Sequence, residues 1–305
     1  MVLQKYSGCW PVAPTPFKEN GDLDIDGMKR VLDCMVDQNV DGICILANYS
    51  EQFLLSDDER EILTKVCIEH IDGRVPIIVT ISHFSTDIAK KRAVFSKDIG
   101  AEMVMMMPPY HGALLKGSAK QTYEQFKSIN EVGITIMIQD APLSGVDLSI
   151  DLLIKMAKEL ENVKCFKIES VQAAGKLREL IKFGKDFIEG PFDGEEGITL
   201  LEDLNAGATG TMSSAMLPDL ISPIVKDHLN GSFRDAEEKY NFVLPLINFE
   251  NRQCGFRATK IIFKEGKVIK SDFCRHPIEP LNLNTRNELL RIAKNYDLVA
   301  LNWGK

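Results

Sequence analysis

Ile134-Thr135-Ile136-Met137-Ile138-Gln139-Asp140-Ala141 is a short, almost continuous apolar run that turns polar at its end, and Val163-Lys164-Cys165-Phe166-Lys167-Ile168-Glu169 is a second. Between them, residues 150–160 carry the apolar spacing of an amphipathic helix. Strand, helix, strand in this order predicts two parallel strands joined by a crossover helix. Strands apolar on both faces belong in a sheet covered on both sides.

The same alternation runs outward in both directions. Further short apolar segments are Gly8–Pro14, Asp41–Ala47, Val75–Ser82, Ala101–Pro109, Asp186–Phe192 and Ala208–Ser214, which brings the predicted strands to eight. Helical patterns lie between them at residues 26–38, 56–67, 85–98, 118–130, 173–182 and 197–205. In the first, Met28, Val31, Leu32, Met35 and Val36 share one face. Ser56-Asp57-Asp58-Glu59 has the form of a capping box, and Ser85 or Thr86 is a candidate cap. Eight strand–helix units predict an α/β fold of the (β/α)₈ TIM-barrel class, with an open doubly wound sheet as the competing arrangement. No G-x-G-x-x-G follows the first strand, which argues against a dinucleotide-binding sheet. Residues 1–217 are read as the barrel. From Pro218 to Lys305, helical stretches that include 233–246 and 285–298 exceed what an eighth helix needs, and predict additional C-terminal helices packed on it. No Pro/Gly/Ser-rich linker or repeat separates the two parts.

The bulk numbers narrow the function. A chain of 305 residues, 45% apolar and 26% charged, has the makings of a large core. Its net charge of −8, with no basic run longer than Lys90-Lys91-Arg92, excludes a typical nucleic-acid partner. Seven scattered cysteines with no C-x-x-C predict reduced thiols and a cytoplasmic setting. The opening residues lack a signal-peptide pattern, and no apolar run approaches the length of a membrane span. Five histidines without an H-x-H or H-E-x-x-H predict no metal site, and nothing calls for a cofactor.

Barrel enzymes place their chemistry at the C-terminal ends of the strands. The second strand ends in Ala47-Asn48-Tyr49-Ser50-Glu51, small polar residues ahead of a helical turn, where N–H groups and hydroxyls can hold a carboxylate or simply form a turn. The fourth ends in three methionines, then Pro108-Pro109-Tyr110-His111-Gly112, which puts Tyr110 and His111 at the mouth. The fifth ends in Gln139-Asp140. The sixth carries Lys167 and Glu169 two residues apart, on one face of the strand. A lysine facing an apolar interior is partly desolvated, which favours the neutral amine that attacks a ketone. Glu169 is one step nearer the mouth, within reach of the same substrate. The alternative is a buried structural ion pair.

At these residues the sequence resembles the dihydrodipicolinate synthase/N-acetylneuraminate lyase superfamily. Ala47-Asn48-Tyr49-Ser50-Glu51 with Leu54 is similar to its G-[ST]-T-G-E motif and following leucine, with Ala47 and Ser50 at the glycine positions, Pro109-Tyr110-His111 to its P-Y-Y, Phe166-Lys167-Ile168-Glu169 to its Schiff-base lysine segment, and Gly207-Ala208-Thr209-Gly210-Thr211-Met212-Ser213 to its G-A-x-G-x-[IM]-S. Two departures matter. The proton-relaying tyrosine of the family's Y-N-x-P is Gln139, although Asp140 and Pro142 still match in kind, and the synthase's arginine is missing from Leu143-Ser144-Gly145. An amide cannot ionise, so a relay to a C4 hydroxyl is disfavoured and so is retro-aldol cleavage.

The replaced stretches, together with Asp193-Gly194-Glu195-Glu196, resemble the subgroup of L-2-keto-3-deoxyarabonate dehydratases of non-phosphorylative L-arabinose breakdown. The resemblance implies a hydro-lyase acting on a small 2-keto acid. In it Lys167 is the imine-forming lysine, Glu169 the acid/base and Gln139 an orienting group. Asn48, Tyr49, Ser50, Tyr110, His111, Asp193 and Gly194 are implied as substrate contacts. It also implies a homotetramer built as a dimer of dimers, with His111 near a subunit interface. Competing readings are a pyrroline-4-hydroxy-2-carboxylate deaminase or hydratase-aldolase with the same Gln-Lys-Glu set, a non-catalytic keto-acid-binding barrel, and a metal-dependent aldolase.

Overall fold

Apolar runs become strands and amphipathic runs become helices almost wherever the sequence pattern places them. The computed structural model describes residues 5–112, 114–141 and 144–305; residues 1–4 at the start of the chain, and Pro142 and Leu143 of the fifth-strand motif, lie outside them. The strands are β1 (Gly8–Cys9), β2 (Ile43–Ile45), β3 (Ile77–Thr80), β4 (Met103–Met106), β5 (Thr135–Asp140), β6 (Val163–Ile168), β7 (Gly190–Asp193) and β8 (Gly210–Thr211). They form one eight-stranded sheet in the order β1-β8-β7-β6-β5-β4-β3-β2. Val12, just past β1, bridges in parallel to both Ser214 and Cys44, which joins the two ends of that order and closes the sheet. The fold is therefore a (β/α)₈ barrel followed by C-terminal helices.

Eight helices follow the strands: α1 (Ile25–Asp37), α2 (Asp57–Ile71), α3 (Thr86–Asp98), α4 (Ala119–Asn130), α5 (Ile150–Glu159), α6 (Ala173–Gly184), α7 (Leu200–Asn205) and α8 (Pro218–Leu229). Side-chain caps by Asp24, Ser56, Ser118 and Ser149 set the starts of α1, α2, α4 and α5. Ser56 Oγ accepts from Glu59 N at 3.2 Å while Glu59 Oε2 accepts from Ser56 N at 3.0 Å, the box expected from the sequence. Ser85 occupies the N-cap of α3 without a side-chain capping bond. The helix expected from residue 197 starts only at Leu200, because Glu196 and Gly197 take left-handed φ values of 53° and 88°, which a helix cannot contain. Beyond α8 come α9 (Phe233–Phe249), a π turn at Glu250–Cys254, α10 (Arg257–Glu265), α11 (Leu283–Ala293) and α12 (Val299–Asn302). The stretch read as one helix over 285–298 thus ends at Ala293, and α12 begins just beyond it.

The chain forms two compact units, one of the residues up to Gly8 with Ile78–Met212, the other of Cys9–Ile77 with Ser213–Lys305. In the first, β4 through β8 lie side by side, every residue from Met103 to Met106 and from Ile136 to Asp140 is buried, and Phe126, Phe166 and Phe192 are enclosed. In the second, α8 packs on α9 and α1 on α2, around Phe17, Leu32, Met35 and Phe263. Among the described residues no helix is long and apolar enough to cross a membrane. All seven cysteines are free thiols, and six of them are buried.

Candidate functional site

Parallel pairing sets β5, β6 and β7 with their C-terminal ends together. Gln139 of β5 pairs with Lys167 of β6, Lys167 with Phe192 of β7, and Ile168 with Asp193. The polar residues that end these strands therefore converge in one place. Gln139, Lys167 and Glu169 are buried, at 1%, 3% and 8% exposure. Lys167 Nζ contacts Glu169 Oε1 and donates to the Gly194 carbonyl at 3.0 Å. Gln139 Nε2 donates to the same Glu169 Oε1 at 2.8 Å. The carboxylate is thus fixed between an amide and an amine, and Glu169 is placed to take a proton from Lys167 and free its lone pair. Gln139 Oε1 is buried with no donor against it among the described residues, an acceptor that a substrate hydroxyl or a water would satisfy.

The turn after β7 supplies the other wall. A Cβ on Gly194 would meet Glu169 Cγ at 2.6 Å and the Ile168 carbonyl oxygen at 2.8 Å, so only glycine lets this backbone approach Lys167. Glu196 is held at φ 53° in the same turn, and burial pushes its carboxyl up to about 7 against the pull of Lys167. Non-glycine residues in this conformation persist where surrounding contacts enforce them, often at functional sites. Asp193, at 0% exposure, contacts Thr211 Oγ1 through its Oδ2, and burial raises its carboxyl.

Asp140, polar at the end of β5, is buried in an ion pair with Lys176 of α6 at 2.6 Å, and burial raises its carboxyl above the ordinary range. Tyr110 and His111 form a short hairpin with Leu115 and Lys116. Tyr110 is half-buried, which raises its phenol, whereas His111 is exposed with its ring edge-on to Phe84 at 6.3 Å between centroids.

Asn48, Tyr49 and Ser50 belong to the other unit. They form a single 3₁₀ turn, and α2 begins seven residues past Ser50, at Asp57, capped by Ser56. Ser50 Oγ donates to Ala13 O at 2.6 Å and accepts from Ala47 N at 3.1 Å. Asn48 Oδ1 accepts from Gln52 Nε2 at 2.7 Å, and Tyr49 meets Phe256 edge-on at 6.3 Å. The Ser50 hydroxyl and the Asn48 carbonyl are therefore engaged within the loop. Leu46 and Glu51 bracket it in left-handed conformations, at φ 60° and 57°.

The structure also adds residues the sequence reading passed over: Lys176 beside Asp140, and Asp203 of α7, which is fully buried. A signal for Asp203 was present. In Leu200-Leu201-Glu202-Asp203-Leu204, helical spacing puts Asp203 on the face of Leu200 and Leu204.

The family model described as the dihydrodipicolinate synthetase family matches residues 5–296. The chain is 50% identical over 300 residues to an L-2-keto-3-deoxyarabonate dehydratase of Azospirillum brasilense, covering 98% of this chain and 97% of that protein. It is 26% identical over 289 residues to a 4-hydroxy-tetrahydrodipicolinate synthase of Hydrogenobaculum sp. (strain Y04AAS1), covering 93% and 97%. The dihydrodipicolinate synthase structure from Aquifex aeolicus shares the fold, with a TM-score of 0.90 at 24% identity over 96% of this chain and 99% of that one. On the strength of a match that runs almost end to end and a barrel that superposes on its members, the chain belongs to the dihydrodipicolinate synthetase family.

Proposed function

We propose that this protein is a Schiff-base hydro-lyase that converts 2-keto-3-deoxy-L-arabonate into 2-oxoglutarate semialdehyde and water. The observation that carries the reading is its 50% identity, over 98% of the chain, to an L-2-keto-3-deoxyarabonate dehydratase. The contact of Lys167 with Glu169, and of Glu169 with an amide rather than a phenol, supports the same chemistry.

In this reading Glu169 accepts a proton from Lys167, and the amine attacks the C2 ketone. Glu169 returns that proton to the carbinolamine hydroxyl, and loss of water gives a protonated imine, an electron sink that acidifies C3–H. Glu169 then removes the C3 proton to form an enamine. The enamine electrons expel the C4 hydroxyl, which takes the proton back from Glu169 and leaves as water. Loss of a C5 proton and protonation at C3 leave a C4–C5 enol, which becomes the aldehyde on protonation at C4. Hydrolysis of the imine returns Lys167, and one water has been lost overall. Gln139 holds Glu169 in line and offers Oε1 to a substrate hydroxyl or a water; having no ionisable proton, it gives a C4 alkoxide no relay. Asp193 and Gly194 shape the wall behind the imine, and Tyr110 and His111 contribute to binding. The role of Asn48, Tyr49 and Ser50 in holding the substrate carboxylate rests on the resemblance of that stretch to the family motif.

The same reading places the protein in the cytoplasm, in non-phosphorylative L-arabinose breakdown, as a homotetramer. A monomeric dihydrodipicolinate synthase variant has the same fold, with a TM-score of 0.88 at 23% identity, so the assembly is tested separately by light scattering, for which a monomer is the refuting result. Turnover is tested by offering 2-keto-3-deoxy-L-arabonate and following semialdehyde with a coupled nicotinamide-dependent dehydrogenase, beside assays for pyruvate release and for deamination of pyrroline-4-hydroxy-2-carboxylate. Semialdehyde as the main product supports the reading; pyruvate or ammonia in its place refutes it. Borohydride with pyruvate should fix a mass adduct on Lys167, and an adduct on another lysine would remove the mechanism.

A further inference from the structure

Two carboxyl groups lie behind Lys167 that the reaction above uses neither as acid nor as base. Asp193 ends β7, Asp203 sits on α7, and both are 0% exposed. Each has one oxygen occupied by a threonine. Thr211 Oγ1 donates to Asp193 Oδ2, and Thr199 Oγ1 donates to Asp203 Oδ2 at 2.8 Å. Among the described residues, no N–H or hydroxyl donates to the remaining oxygen of each, Oδ1, which is buried. The two side chains are themselves in hydrogen-bond contact. Two like charges held together without water cannot both persist, whereas one proton between them satisfies both carboxyl groups.

The surroundings indicate which group carries it. Burial and the neighbouring Asp193 hold the proton on Asp203, up to about 8, with Glu202 of α7 adding to the effect. Burial raises Asp193 as well, but Thr211, Asp203, Lys167 and the Glu195 backbone all favour its ionised form. Glu196 also faces Lys167 and Asp193. The peptide after Asp193 is Gly194, whose carbonyl receives Lys167 Nζ at 3.0 Å.

We propose that Asp193 and Asp203 share a single proton and form one monoanionic positioning unit, which holds the Gly194 carbonyl against Lys167. The positioning role rests on the reading of Lys167 as the imine-forming lysine; the shared proton does not. A single negative charge suits a nitrogen that must be neutral to attack and cationic as the imine. Glu169 already contacts Lys167 Nζ, so a monoanion behind it adds one charge where two would hold the nitrogen more firmly as an ammonium.

The test compares the full-length wild type with Asp203→Asn, which keeps an N–H donor toward Asp193 but carries no acidic proton, and with Asp203→Leu, which has no donor. Infrared difference spectra at pH 7 should show a protonated-carboxyl band in the wild type that Asp203→Asn lacks. In urea unfolding between pH 5 and 7 the wild type, whose folded state holds one proton more than its unfolded state, should lose stability relative to Asp203→Asn as pH rises. The ratio of their unfolding constants should change by about tenfold per pH unit, the signature of one proton. Borohydride trapping with pyruvate should be recovered largely in Asp203→Asn and slowed by about tenfold or more in Asp203→Leu, the scale of a lost buried hydrogen bond. No band difference and a flat ratio would overturn the shared proton, and these two measurements decide it even if Asp203→Leu fails to fold. Trapping by a folded Asp203→Leu at the wild-type rate would overturn the positioning role. A wild type that traps no pyruvate on Lys167 would refute the Lys167 reading and that role with it, and would leave the infrared result standing.

Discussion

Lys260 is the most exacting place to test the energetics of the unit formed by Cys9–Ile77 and Ser213–Lys305. It lies on α10 at 0% exposure, with Nζ against Glu51 Oε1, donating to Phe273 O at 2.9 Å and sitting 4.4 Å from the centre of the Phe17 ring. Glu51 is buried too, and its Oε2 accepts from Arg275 N at 3.1 Å. Lys260→Met keeps the apolar stem and removes the charge. The Glu51 carboxylate is then left buried with a backbone N–H in place of a cation, and breaking one side of a buried pair costs about 3–5 kcal/mol. At about 2–4 °C per kcal/mol for a large domain, the unfolding midpoint should fall by on the order of 10 °C. Calorimetry or urea unfolding measures this directly. The double variant Lys260→Met/Glu51→Gln, which leaves no charge stranded, should recover a large part of the loss. A single-variant loss under about 1 kcal/mol, or a double variant as unstable as the two singles added together, would refute the account.

Glu169→Gln should still form the borohydride-trapped imine, more slowly because it cannot take the Lys167 proton, while dehydration falls by at least about 10²-fold, the usual scale for a general acid or base; near-normal turnover would move that role to another group. Gln139→Leu should trap pyruvate on Lys167 but lower kcat by about tenfold or more, the scale of a lost hydrogen bond to a charged group, and an unchanged kcat would remove it from the site. Gly194→Ala should displace the backbone that its Cβ would strike and lower kcat by about 10²-fold, with wild-type rates showing that the turn absorbs the methyl group.

The sheet was readable from sequence because its strands are buried on both faces, so apolar runs such as Met103–Met106 stand out without help from neighbours. Lys167 and Glu169 were readable for the opposite reason: charge inside such a run is costly unless something uses it. The loop at Asn48–Ser50 was not. Leu46 and Glu51 adopt left-handed conformations that local propensity disfavours for leucine and glutamate, and the contacts that hold them come from far along the chain, Lys260 and Arg275 among them. From sequence these residues could hold a carboxylate or simply form a turn, and the structure makes a 3₁₀ turn of them. Asp203 escaped because a lone acid in a six-residue helix reads as surface unless its neighbours at Leu200 and Leu204 are taken as the buried face. Its partner Thr199 stands at the N-cap of that helix, and a lone threonine there carries no signal of its own.

The seam of the barrel has a consequence for how the chain is made. Val12 pairs with Cys44 on one side and with Ser214 on the other. The first of these partners leaves the ribosome soon after Val12; the second is separated from it by about 200 residues of synthesis. At roughly 5–20 residues per second, the nascent chain spends on the order of ten to forty seconds with the β8 side of β1 unpaired. During that time the growing sheet exposes an edge able to recruit another strand. Having only two residues in β1 and two in β8 keeps that edge short, so the protein passes its most aggregation-prone interval with little backbone to offer.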